Sequence, residues 1–135
     1  MVTATKILIV GGVLSLATAF VIGYILSNKR LTPPNVGPPY LDLSHRNALW
    51  EGFMLLGLGF AAQFARLPDA LVIIAASLLV ASAVFQIASS MASWLMGTKD
   101  FFVERSLGLR LATINAILAT IGLAILIVGV IAGLF

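Results

Sequence analysis

Four apolar stretches, at about residues 6–26, 48–64, 69–95 and 107–134, take up most of this chain. Each falls within or above the roughly 17 to 25 residues a helix needs to cross the hydrocarbon core of a bilayer. In lipid the backbone N–H and C=O groups have no water to bond, so a spanning segment must satisfy them internally, and runs of this length do so as helices. The expected fold is therefore all-α, an integral membrane four-helix bundle forming one domain over residues 1–135. Composition agrees, since 61% of the residues are hydrophobic and only 10% are charged, a balance that excludes a disordered or ordinary water-soluble chain. The sequence stays hydrophobic after the first stretch, so that stretch is expected to remain as a span and not to be removed as a leader. There is no cysteine, which excludes disulfide scaffolds, thiolate metal sites and cysteine nucleophiles.

The connections follow from helix breakers. Thr32-Pro33-Pro34-Asn35-Val36-Gly37-Pro38-Pro39 forms an extended loop, because each proline lacks an amide donor and biases its predecessor away from helix. Arg66-Leu67-Pro68-Asp69 is a tight connection with proline at a helix start and a carboxylate in the first turn, so the second and third spans are antiparallel neighbours. The third loop, residues 97–105, carries Lys99, Asp100, Glu104 and Arg105 beside Phe101 and Phe102, a mixture suited to the membrane interface. Lys29, Arg30, Arg46, Lys99, Arg105 and Arg110 fall on the face of the first and third loops, against Lys6 and Arg66 on the other. The positive-inside rule then places the first and third loops in the cytoplasm with both termini outside, and the expected location is a bacterial or archaeal plasma membrane. The basic residues thus report topology and give no reason to expect nucleic acid.

Polar side chains within spans are costly, so each is a candidate for function. Ser44-His45-Arg46-Asn47-Ala48-Leu49-Trp50-Glu51-Gly52 opens the second span, placing Glu51 roughly 9 Å along the helix from His45 at about 1.5 Å per residue. Glu51 is the one acid well inside a span. Ser82, Gln86, Ser89, Ser90 and Ser93 draw a polar stripe along the third span. Because the second span starts where the third finishes, His45, Glu51, Gln86, Ser90 and Trp94 fall in one half of the bilayer, joined there by Asn115 and Thr113 of the fourth. The other half offers no counterpart, which favours a pocket open to one face over a continuous pore. Plain structural roles are available to some of these groups: a histidine at a span end serves as an interfacial anchor, Trp94 as an aromatic-belt residue, and serines as glue between helices. Gly11, Gly12, Ser15 and Gly23 of the first span are small residues suited to close helix packing.

Ser44-His45 followed by Ala48-Leu49 and Gly52, then an apolar span, a polar-striped span and the closing Gly97-Thr98, resembles the small four-helix membrane proteins that include hydroxylaminobenzene mutase and styrene oxide isomerase. The resemblance covers mainly residues 41–98. It implies a haem b protein in which His45 is the axial ligand to iron, with Arg46 and Arg30 meeting the propionates. It also implies a homotrimer with haem between neighbouring subunits. The implied activity is an isomerisation of a small hydrophobic, aromatic substrate, in which ferric haem acts as a Lewis acid on an epoxide C–O or hydroxylamine N–O bond without net redox change, and Glu51, Gln86 and Ser90 are the expected catalytic residues. The chain departs from the family in that Glu51 stands where the family has Asn before the glycine, Gln86 where it has Asn in the third span, Ser90 where the isomerases have Tyr, and Gly11 where the mutases have a first-span His. A carboxyl at position 51 supplies a proton donor or base where an amide only orients. Two other readings compete: a small multidrug-type transporter, which shares the four-helix layout and one intramembrane Glu, and a non-catalytic membrane subunit whose polar stripe binds a partner. Phosphate-loop and single-chain zinc chemistry are excluded, since the chain has no glycine-rich loop followed by Lys-Ser/Thr and only one histidine.

Overall fold

The computed structural model describes residues 2–135, and all of the regular structure among them is helical. Four long helices follow in order: α1 (Val2–Leu31), α2 (Pro39–Ala61), α3 (Asp69–Leu95) and α4 (Leu107–Leu134), with a 3₁₀ turn (Ala62–Phe64) continuing α2. α1, α3 and α4 are each long and apolar enough to cross a membrane. α2 is not in that group, because Asp42, His45, Arg46, Asn47 and Glu51 dilute its first half.

α3 and α4 keep the bounds expected from hydropathy, whereas α2 begins nine residues before the apolar stretch at 48–64. The reason is local. Pro39 occupies the first turn, where its missing N–H costs nothing, and the Pro38 carbonyl accepts from the Leu41 and Asp42 amides to close that turn. The whole segment from Ser44 to Gly52 is therefore helical, and its side chains are sorted by helical phase. α4 starts on Ser106, whose hydroxyl accepts from the Leu109 amide.

Packing is uneven. α1 and α2 run antiparallel and nearly touch at Gly12 and Gly52, where a Cβ on Gly12 would stand 2.9 Å from the Gly52 carbonyl oxygen and one on Gly52 would stand 3.1 Å from that of Gly12. Both helices lean on α3. α4 packs along α3 and the 3₁₀ turn, where the Arg66 amide donates to the Gly129 carbonyl. One core, with Leu8, Leu55, Val72, Leu79 and Leu126, fills the end near the α2–α3 connection. A second, with Ala19, Ile22, Leu26, Leu41, Ala48 and Ile87, fills the end near the first loop. The outward faces of α1 and α4 stay apolar and exposed, as at Phe20, Val21, Ile117, Ile121 and Ile131, which suits a surrounding of lipid tails and a membrane protein.

Candidate functional site

α2 carries the polar residues, and its phase divides them between two sides. His45 lies on the side with Leu41, Ala48 and Gly52 and meets α1. Its Nδ1 lies 2.9 Å from the Ala19 carbonyl oxygen. A carbonyl only accepts, so Nδ1 carries the proton and donates, and in the neutral ring the lone pair sits on Nε2. Gly23 makes room for the ring: a Cβ there would fall 2.9 Å from His45 Cε1 and 3.1 Å from Nδ1. Gly23 is therefore a socket for an imidazole more than a site of backbone contact between helices.

Arg30 and Arg46 are nearby at the helix ends and converge on one carboxylate. Arg30 Nη2 is 2.8 Å from Asp42 Oδ1 and Arg46 Nε is 3.3 Å from Asp42 Oδ2. Both arginine side chains stay more than half exposed, so each keeps donors free beyond the Asp42 pair.

The opposite side of α2 faces α3 and α4, and there Tyr40, Leu43, Ser44, Asn47 and Glu51 recur at spacings of three and four. Gln86 and Ser90, both expected from the α3 stripe, come together here with two amides from the other helices. Asn47 Nδ2 donates to Ser90 Oγ at 3.3 Å, and Ser90 Oγ in turn donates to the Ile87 carbonyl at 3.2 Å, with that of Gln86 at 3.3 Å. Asn115 Nδ2 of α4 donates to Gln86 Oε1 at 2.6 Å. Asn47, Gln86 and Ser90 border a cleft of about 290 Å³ lined also by Tyr40, Leu43, Ser89, Phe101 and Phe102, with Asn115 behind Gln86. Glu51 lies one turn further along the same side, and its Oε2 is buried without a hydrogen-bond partner among the described residues. In an apolar interior such an atom is expensive to hold, which singles Glu51 out.

The remaining serines of the stripe are structural. Ser82 and Ser93 return their hydroxyls to the Leu79 and Ser89 carbonyls of their own helix, and Ser89 donates across to the Gly108 carbonyl of α4 at 2.7 Å. Trp94 packs against the core at the first-loop end. Asn47 escaped the sequence reading; the signal for it was its place four residues before Glu51 and three after Ser44.

His45 and the Asn47–Gln86–Ser90–Asn115 cluster thus occupy opposite sides of α2 in one chain. Among the described residues no group of three or more His, Cys, Asp and Glu side chains is arranged to hold a metal ion. A haem requires no such group, only one oriented imidazole, and that is what His45 presents. No known protein family, curated protein or solved structure matches this chain.

Proposed function

We propose that this chain is a membrane-integral isomerase or mutase that holds haem b through His45 and rearranges a small hydrophobic, aromatic substrate. The single observation that carries the reading is the imidazole fixed by Ala19 and seated on Gly23, with Nε2 left as a lone-pair donor. The donor set fits the group: a neutral imidazole suits iron, and Arg30 and Arg46 retain guanidinium donors for the propionates. Bound there, ferric haem supplies a Lewis acid that polarises a substrate C–O or N–O bond. The protein's own residues do the rest. The Ala19 carbonyl orients His45, the apolar helix faces exclude water, and Gln86 and Ser90 hold polar parts of the substrate, while Glu51 gives or takes a proton.

One chain of this size does not enclose a macrocycle, and its imidazole and polar cluster face apart. The reading therefore includes a homotrimer in which a neighbouring copy closes the site beside His45. It also includes four spans in a plasma membrane, with the loops after α1 and α3 on the cytoplasmic side. A visible spectrum tests the cofactor: detergent-purified protein from haem-replete cells is expected to show a Soret band that His45→Ala removes. Colourless wild-type protein sinks the reading.

One observation favours a second reading, a small proton-coupled transporter. The buried, unpartnered Glu51 oxygen is the kind of intramembrane carboxyl that carries protons in such proteins. Efflux from proteoliposomes that Glu51→Gln abolishes, in protein without a Soret band, would establish it.

A further inference from the structure

The hydrogen-bond directions in the cleft between α2, α3 and α4 leave an imbalance. Asn115 Nδ2 donates to Gln86 Oε1 at 2.6 Å, so the Gln86 amide cannot rotate without breaking that bond, and its Nε2 stays turned away from Asn115. Nε2 has no partner among the described residues, and Gln86 lines the cleft. The Ser90 hydroxyl adds no donor, because its one hydrogen already goes to the Ile87 and Gln86 carbonyls. Gln86 Nε2 is thus the donor that α3 offers to the cleft.

The rest of the lining is largely aromatic and apolar, with Asn47 donating to Ser90 and the Ser89 hydroxyl to the Gly108 carbonyl. Tyr40 and Phe101 stack with ring centroids 6.0 Å apart and planes 25° from parallel, and Phe102 stands at the mouth, 75% exposed. The loop that carries these phenylalanines is held by two carboxylates: Glu104 Oε1 accepts from the Lys99 and Asp100 amides, and Asp100 Oδ1 from those of Phe102 and Val103. At about 290 Å³ the cleft lies at the small end of ligand sites, enough for a single-ring molecule.

We infer that this cleft binds a small planar molecule with one hydrogen-bond acceptor, that Gln86 Nε2 is the group that recognises the acceptor, and that Asn115 is the positioning residue that aims it. The inference deepens the proposed function by locating the substrate, and it rests on that reading for the reaction alone. Asn115 acts through Gln86: with an apolar residue at 115 the Gln86 amide is free to turn, and the donor is no longer presented at a fixed angle.

Ligand-observed fluorine NMR in lipid nanodiscs, with empty discs as the baseline, tests this with two probes of nearly equal shape, 4-fluoroacetophenone and 4-fluoroethylbenzene. Wild-type protein is expected to bind the ketone saturably and more tightly than the hydrocarbon. Asn115→Leu and Gln86→Met are each expected to weaken the ketone about tenfold, the equivalent of about 1.4 kcal/mol, and to leave the hydrocarbon within about twofold. A structural role alone would weaken both probes together, and that result overturns the inference, as does saturable ketone binding unchanged in both variants or absent from wild type. Gln86→Met keeps the side-chain length, so it remains informative if Asn115→Leu does not fold. Saturable ketone binding by protein without a Soret band would keep the cleft and sink the haem reading, and a Soret band without such binding would do the reverse. Failure of the cleft and failure of the haem reading are therefore separate results.

Discussion

At the scale of single residues, the most consequential arrangement is a glycine and a histidine on different helices. Gly23 leaves a gap in α1 that the His45 ring fills, and the Ala19 carbonyl one turn earlier fixes which nitrogen carries the proton. Gly23→Val puts methyl groups where the imidazole sits. It is expected to cost about 1 to 3 kcal/mol, typical of overpacking, and to weaken or remove the Soret band, both measurable by unfolding in detergent followed by absorbance. The Asp42 cluster is a contrasting case. Its two ion pairs are solvent-exposed on the arginine side, with Arg30 54% and Arg46 62% accessible. Asp42→Asn is therefore expected to change stability by no more than about 1 kcal/mol, and a shift well beyond that in the same unfolding assay would mean the cluster is more enclosed than its exposure shows.

At the scale of elements, each helix pair is joined by a different device. α1 and α2 approach through Gly12 and Gly52, a contact in which each carbonyl lies against the other glycine. In lipid, where apolar side chains gain little by leaving their surroundings, such close backbone packing carries much of the association. Gly52→Leu is expected to separate these helices, costing about 2 kcal/mol or more by the steric argument. The check is faster proteolysis at the first loop together with a lower unfolding midpoint; an unchanged midpoint would discount the crossing. α3 and α4 add hydrogen bonds, from Ser89 to Gly108 and from Asn115 to Gln86, to close packing at Gly122 and the burial of Leu126, while the outward face of α4 remains apolar and exposed. α2 differs from its neighbours in carrying polar residues on two opposed sides, His45 toward α1 and Asn47 toward α3, which explains its lower hydropathy.

At the scale of the molecule, the unequal distribution of basic residues defines two ends. Six of the eight lysines and arginines belong to the end with the first and third loops, and there the Tyr40–Phe101 stack ties the start of α2 to the third loop. The chain has no native cysteine, so single replacements give clean reporters of sidedness. Asn35→Cys in the first loop is expected to resist a membrane-impermeant maleimide added to whole cells, and Gln63→Cys near the α2–α3 connection to react with it. The reverse pattern would invert the topology and place the cleft mouth on the outer face.

Much of this protein was written in its periodicity and punctuation. The four apolar runs, the proline-rich first loop and the Arg66-Leu67-Pro68-Asp69 connection fixed the number and order of helices, because length and backbone hydrogen bonding leave a hydrophobic chain few alternatives. The same reading singled out His45, Glu51, Gln86 and Ser90 by the cost of polar groups in lipid. It could not tell that His45 turns toward α1 while Asn47 and Glu51 turn toward α3, since helical spacing sets these side chains apart but does not say which neighbouring helix lies on which side. Nor could it separate Ser89, whose hydroxyl ties α3 to α4, from Ser90, which accepts from Asn47 of α2, because they are adjacent and chemically identical. Which side of a helix a residue faces is decided by the neighbours it packs against. For this chain that information is in the tertiary structure: Gly23 accepting a ring, and Asn115 reaching across to hold an amide.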